Sequence, residues 1–236
     1  MAQSIRKTHP GYGLRKLHYT INHHGLPIGR DKLRTLLKER GLLFKPKLRY
    51  KVKTTNSNHH YRLYPNLLPI TSIYKPEQVW VADITAIRIN GQAYYLALVA
   101  DAYSRRIMGW HIATQNTGSL ACQALSNAHH NRIYPNNCII HHSDRGIQYC
   151  CIEYRTLLKR LQMQISTTEC GDPRENAIIE RIIRTLKYEY GLRHNFNTYQ
   201  TACKAIEYAI DRYNNLRIHY ACNLNTPTQK HLPLFL

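Results

Sequence analysis

The sequence predicts an α/β fold behind a short helical module, and three observations carry that reading. From residue 79 onward, runs rich in β-branched residues come first and then alternate with amphipathic helical stretches. The first 43 residues hold two short helical patterns, each closed by a glycine. The charge also breaks between the regions: residues 1–78 carry 16 basic and 3 acidic residues, whereas residues 79–236 carry 17 and 11. The expected divisions are a helical module over 1–43, a basic arm and linker over 44–78, and an α/β domain with C-terminal helices over 79–236.

In the helical module, "YGLRKLHYTINHHG" sets Leu14, Leu17 and Ile21 at helical spacing and stops on Gly25. "IGRDKLRTLLKERGLL" repeats the pattern, with Leu33, Leu36 and Leu37 expected inside and Gly41 as the stop. Its outward face carries Arg30, Lys32, Arg34, Lys38 and Arg40. Two short helices around a glycine-containing turn suit a helix-turn-helix, with Arg30, Arg34 and Lys38 turned to DNA. A small bundle with a solvated charged face fits the same pattern. Next, "FKPKLRYKVK" places Lys45, Lys47, Arg49, Lys51 and Lys53 at every second position. Pro46 opposes a helix, and an extended chain puts all five on one side, about 6–7 Å apart. Such a strip suits a DNA-tracking arm; a localisation-type basic run has the same composition.

The α/β region opens with "VWVADITAIRI", which is β-branched and ends at Asn90-Gly91, a strong hairpin signal. "QAYYLALVADAY" and "IMGWHIA" follow as the second and third strands. A helix ("TGSLACQALSNAHH"), a strand ("NCIIHHSD"), a helix ("CIEYRTLLKRL") and a brief strand ("MQIST") lead to a further amphipathic helix. Five strands with helices on the faces of the sheet make a layered α/β fold.

Bulk properties bound the rest. Hydrophobic residues make up 43% of the 236, so a real core is expected and disorder is not. The longest nearly apolar run, Ala93–Ala100, is far too short for a bilayer span, and "MAQSIRKTHPGYG" lacks a secretory apolar stretch. Seven cysteines without a CxxC spacing read as reduced, structural thiols of a cytoplasmic protein. A net charge of +19 implies a polyanionic partner. Composition alone fits DNA or RNA, and an enzyme or a passive binder.

Against that basic background, "GDPRENAIIERIIRTLKYE" gathers Asp172, Glu175, Glu180 and Glu189. From Ala177, the residues Ile179, Ile182, Ile183, Leu186 and Tyr190 trace the apolar face of a helix, while Glu180, Arg184 and Lys187 share a neighbouring stripe. Asp172 and Glu175 precede this helix or sit in its first turn, where its dipole favours acids with no further role. Glu180 alone borders the apolar face and can point at a sheet. Among the strand acids, Asp83 lies mid-strand, Asp101 ends the second strand, and Asp144 follows the fourth. A mid-strand Asp between apolar neighbours is costly unless a positive group meets it, and clustered carboxylates need a neutralising cation. A pair of Mg2+ ions is the usual solution where the substrate is a phosphodiester. Asp101 is expected to fix a turn or an ion pair. His141 and His142 fit either strand-end packing or a contact near Asp144.

Together these segments resemble the transposases of bacterial insertion sequences that share the retroviral integrase core, an RNase H-like fold with a DDE triad. The resemblance rests on "WVADIT", "HHSDRGIQY" and "GDPRENAIIERIIRTLKYE", on the 35 residues between Asp144 and Glu180, and on Lys187 seven beyond that Glu. "VADAYSRRIMGW", "YNNLRIHYACNLNTPTQ" and the upstream "HPGYGLRKL" and "GLPIGRDKLRTLLKERGL" extend it over nearly the whole chain. It implies a mixed five-stranded sheet with flanking helices and metal-binding catalytic carboxylates at Asp83, Asp144 and Glu180. Lys187 would contact DNA, with Arg184 on the same stripe. Glu175-Asn176 stands where Asp-Asn is usual, Ala82 where Thr is common, and Arg181 where a small residue is common. The His/His/Cys/Cys zinc-binding domain of retroviral integrases is absent, because no cysteine pair joins His23, His24, His59 and His60. Those histidines are expected at the surface or in loops.

The implied chemistry is metal-dependent nicking that frees a 3′-hydroxyl on element DNA, followed by attack of that hydroxyl on a second phosphodiester. Two Mg2+ ions per site when DNA is bound, with Mn2+ as a substitute, serve it without ATP or a covalent protein–DNA link. The implied partners are double-stranded DNA, at least one further copy of the chain, and an N-terminal DNA-binding segment fused from an overlapping upstream frame. The implied location is the bacterial cytoplasm, at the nucleoid. A catalytically idle DNA-binding derivative and an RNase H-type nuclease are the competing readings. The intact triad weighs against the first, and the basic helical module with its arm against the second.

Overall fold

A computed structural model describes residues 1–44, 64–169 and 173–232, without the side chains of Pro173 and Arg174. The arm residues Lys45, Lys47, Arg49, Lys51 and Lys53, the histidines His59 and His60, and Asp172 lie outside the described residues. The chain divides into two compact units, Met1–Val52 with Tyr188–Tyr190, and Lys53–Lys187 with Gly191–Leu236.

The first unit holds α1 (Ala2–Thr8), α2 (Leu14–His23) and α3 (Arg30–Glu39). Of these, α1 is new relative to the sequence reading, since its seven residues are too few to display an apolar period. Tyr12, Leu17, Ile21, Leu33 and Leu37 are buried. Leu36, expected inside, is 37% exposed, because Leu33 and Leu37 one turn apart complete the narrow buried stripe and leave it to one side. Both glycine stops are real. Gly25 and Gly41 take positive φ, and the next residue's N–H reaches back to the helix, Leu26 to the Ile21 carbonyl and Leu42 to the Leu37 carbonyl. The turn after α2 is tied by Asn22, whose Oδ1 accepts the Ile28 N–H at 2.9 Å, and by His18 Nε2 at 2.8 Å from the Ile28 carbonyl. His23 and His24 are exposed, as expected.

The second unit runs β1 (Val79–Ile89), β2 (Gln92–Asp101), β3 (Ile107–Ala113), α4 (Gly118–His130), β4 (Ile140–Ser143), α5 (Ile147–Cys150), α6 (Ile152–Arg160), β5 (Gln164–Thr167), α7 (Ala177–Glu189), β6 (Asn195–Phe196), α8 (Tyr199–Asn215) and α9 (Pro227–His231). The sheet order is β3-β2-β1-β4-β5, with β6 beside the far end of β1. β1, β2 and β3 form an antiparallel meander, whereas β4 and β5 add in parallel, so the sheet is mixed as expected. Asn90 and Gly91 both take positive φ and join Ile89 to Gln92 as a two-residue hairpin turn. Period-two alternation sends Trp80, Ala82, Ile84, Ala97 and Val99 into one core with Leu120, Leu125, Tyr149, Tyr154 and Leu158 from the covering helices. Asp83 therefore sits on the opposite face of β1.

At the other end of β2, a buried polar knot holds α9 to the start of β1. The Asp101 carboxylate accepts the Glu77 N–H, the Ser104 N–H and the Ser104 hydroxyl, each at 2.7 Å, so it fixes a turn as expected. Glu77 accepts the Ile133 N–H at 2.7 Å and pairs with Arg132 at 3.1 Å. His231 lies between the two acids, with Nδ1 2.9 Å from Ser104 Oγ and Nε2 3.4 Å from Glu77 Oε1. Burial alone would lower the His231 pKa, but its bonds to Asp101 and Glu77 outweigh burial and raise it. Among the described residues no helix is long and apolar enough to cross a membrane. The described cysteines are all free thiols.

Candidate active site

The parallel pairing of β1 with β4 ends at Ala82 opposite Ser143. Asp83 and Asp144 are the next residues on each chain, so the register brings the two acids side by side where β4 stops. One oxygen of each is already held by a backbone N–H: Asp83 Oδ1 accepts from Ile84 at 2.7 Å, and Asp144 Oδ1 accepts from Gly146 at 2.9 Å. The second of these is an Asx-type turn that opens α5. A side chain at Gly146 would crowd both Asp144 Oδ1 and the Gln148 amide, at 3.0 and 2.4 Å.

Glu180 reaches this corner from α7. Two contacts set the start of that helix. Asn176 Nδ2 donates to the Ala82 carbonyl at 3.1 Å, one residue from Asp83. His142 Nε2 donates to the Glu175 carbonyl at 3.0 Å, while its Nδ1 lies 2.8 Å from Ser166 Oγ. Burial lowers the His142 pKa to about 4, so the ring is neutral and one nitrogen is free to accept. His141 is fully buried, its Nε2 2.8 Å from the Tyr154 hydroxyl, and burial lowers it to about 3. Both histidines are thus strand-end packing and positioning residues. Glu175, one methylene longer in its side chain than an Asp, uses Oε2 to accept the Glu169 N–H at 2.8 Å.

Electrostatics tie the three acids together. Asp83 is pushed up to about 8 by burial first, then by the charges of Asp144 and Glu180, against the Ile84 bond and the Lys187 charge. Lys187 is half-buried; desolvation lowers its pKa and Asp83 partly restores it. Arg184 is half-buried, Glu180 is exposed, and Arg30, Arg34 and Lys38 are exposed on the first unit. Among the described residues no three His, Cys, Asp or Glu side chains gather closely enough to enclose an ion. The acids are neighbours through their charges rather than a closed cage. The donor set still fits a hard divalent cation: it is all carboxylate oxygen, and its central member, buried and beside two other acids, holds a proton above the ordinary carboxylate range. Of the residues that shape the corner, Asn176 and Gly146 carry no chemistry of their own, and only their place in the quoted motifs marks them.

Two family models, each described as integrase core domain, match residues 73–173 and 161–227. An insertion element IS600 protein of 31 kDa from Shigella sonnei is 36% identical over 215 residues, covering 90% of this chain and 78% of its own length. The transposase InsF of insertion sequence IS3A from Escherichia coli K12 is 32% identical, covering 92% and 76%. The transposase of insertion sequence element IS904 from Lactococcus lactis is 30% identical, covering 95% and 89%. In fold, the chain is similar to a chain of the simian T-cell lymphotropic virus intasome in complex with PP2A regulatory subunit B56 gamma, at TM-score 0.56 and 18% identity, covering all of this chain and 76% of that one. It is also similar to the HTLV-2 integrase catalytic core domain in complex with magnesium, at TM-score 0.52 and 20% identity, covering 67% and 98%. With an RNase H-like sheet, two matching core models and such relatives over most of its length, the chain belongs to the insertion-sequence transposases with an integrase-type core, which are DDE-type polynucleotidyl transferases.

Proposed function

We propose that this chain nicks element DNA to free a 3′-hydroxyl and then joins that end to a second phosphodiester, with Asp83, Asp144 and Glu180 as its catalytic carboxylates. What carries the reading is Asp83, an acid held inside a strand against two other acids, with the Lys187 charge opposing them. The three carboxylates would hold Mg2+, two ions when DNA is bound, with Mn2+ as a substitute. Bound ions supply Lewis-acid activation and charge neutralisation at the phosphodiester. The chain's own residues do the positioning: backbone N–H groups of Ile84 and Gly146 fix the Asp side chains, and Asn176 sets the register of α7 against β1. Lys187, with Arg184 a turn before it, offers donors to phosphate oxygens beside the acids.

On this reading residues 1–43 are a helix-turn-helix-like DNA-binding domain, using Arg30, Arg34 and Lys38. Residues 44–78 are the arm, with Lys45, Lys47, Arg49, Lys51 and Lys53 along a backbone, and residues 79–236 are the catalytic domain. The partners are both element ends, target DNA, a second copy of the chain, and a segment encoded in an upstream frame, all at the nucleoid.

Thermal stability with and without about 10 mM Mn2+ tests the metal centre without knowledge of the element ends. A site with a dissociation constant of order 1 mM adds about 1.4 kcal/mol at that concentration. The gain should vanish in Glu180→Gln and survive in Glu175→Gln, whose carboxylate serves the loop. A wild type indifferent to Mn2+ would return the chain to a DNA-binding derivative without catalysis.

A further inference from the structure

The edge strand β5 is not left bare. Residues 64–67 lie along its outer side: the Thr167 N–H donates to the Pro65 carbonyl at 3.4 Å, and the Thr167 hydroxyl to the Tyr64 carbonyl at 2.6 Å. A third contact goes further into the molecule. The Leu67 N–H donates to Ser166 Oγ at 2.9 Å, and that oxygen lies 2.8 Å from His142 Nδ1. The same ring reaches the Glu175 carbonyl through Nε2 at 3.0 Å. The two ends fix the direction of every bond between them. An amide N–H only donates and a carbonyl only accepts, so Nε2 carries the hydrogen of the neutral ring. Nδ1 therefore accepts, and the Ser166 hydroxyl gives it a hydrogen while taking one from Leu67. Ser166 and His142 are both fully buried, and an apolar pair would fill the same space without burying polar atoms. The register pairs Ser166 with His142 and His142 with Val81, so alternation puts both side chains on the Asp83 face of the sheet. The run of bonds ends on the backbone five residues before Glu180, beside the Asn176 bond to Ala82.

We propose that Ser166 and His142 are positioning residues that join the docked linker to the start of α7, so that seating residues 64–67 on β5 and holding Glu180 at the other two acids are coupled. Such coupling is reciprocal. A docked linker that steadies Glu180 favours the metal-bound site, and metal bound there favours the docked linker by the same factor. This inference rests on the metal-carboxylate reading above.

The test is Ser166→Ala on the full chain, compared with Tyr154→Phe, which loses a buried 2.8 Å bond to His141 on the other face of the sheet. Melting temperature without metal and the Mn2+ concentration that gives half of the metal-induced shift are both read. Both variants should melt below wild type, because each loses a buried hydrogen bond. Ser166→Ala should also raise the Mn2+ midpoint about threefold or more, whereas Tyr154→Phe should keep the wild-type midpoint. Hydrogen exchange of the Leu67 amide reads the coupling from its other end: about 10 mM Mn2+ should slow it in wild type and not in Ser166→Ala. A wild-type midpoint in Ser166→Ala overturns the proposal while leaving the metal site standing. Equal midpoint shifts in both variants overturn it as well, because general loosening of the sheet would then explain them. A Leu67 amide indifferent to Mn2+ in wild type overturns the link to the linker. If wild type shows no Mn2+ thermal shift at all, the carboxylate reading falls and takes this inference with it.

Discussion

Asp83 shows how a single side chain connects sequence to chemistry. Its acidity in the middle of an apolar strand was legible as an anomaly, and its environment turns the anomaly into a pKa near 8 against an ordinary 3.8. The sign of the consequence follows from linkage. The folded state binds the Asp83 proton more tightly than the unfolded state does, so stability falls as pH rises from about 4 through about 8. Asp83→Asn removes that slope. In EDTA at pH 8 it should melt about a few degrees above wild type, and the two should converge near pH 4. A variant with the wild-type pH slope would show that the carboxylate is not where this charge strain resides. Asn176 was not legible in the same way. An asparagine is ordinary anywhere, and the atom that makes this one important, the Ala82 carbonyl, comes from chain many residues away.

At the scale of elements, the strands over Val79–Ile89 and Ile107–Ala113 coincide with the β-branched runs, because period-two alternation and the Asn90-Gly91 turn are local signals. The short pieces α5 and β6 escaped, since four and two residues carry no period. Glycine 109 illustrates what packing between elements adds. A Cβ on Gly109 of β3 would lie 2.3 Å from the Ala128 nitrogen and 2.5 Å from the Ala124 oxygen of α4. Backbone, not a flexible side chain, stands in the way. Gly109→Ala should therefore push α4 off the sheet at a cost of about 1–3 kcal/mol, seen as a lower denaturant midpoint. An unchanged midpoint would mean that this contact is looser than it stands.

Across the whole molecule, the knot of Glu77, Asp101, Ser104, Arg132 and His231 ties the last helix to the first strand of the core, over a sequence separation that no local pattern spans. His231 has its pKa raised above 6.5 by the two acids, so its contribution is complete below that pH and lost as pH rises through the raised value. His231→Ala takes one cation from the buried acids, leaving Arg132 on Glu77 and no His231 beside Asp101, and should cost about 3 kcal/mol below pH 6.5. The gap to wild type should narrow on the alkaline side, in urea titrations run at several pH values. A gap independent of pH would make His231 a space-filler only. Because the effect of Asp83→Asn grows from pH 4 upward, whereas the cost of His231→Ala is full below pH 6.5 and shrinks above it, the two contributions separate.

By itself the sequence determined the class of fold, the two-part distribution of charge, the strand carrying Asp83, the helix carrying Glu180 and the family they indicate. These are written in local periods, turn residues and fixed spacings along the chain. Only the tertiary structure decided what each acid meets. The register of β1 on β4 made neighbours of Asp83 and Asp144, the Asn176 bond to Ala82 set Glu180 beside them, and burial raised the proton affinity of Asp83. Proximity, desolvation and the direction of a hydrogen bond are properties of groups brought together by folding, and a one-dimensional pattern does not contain them.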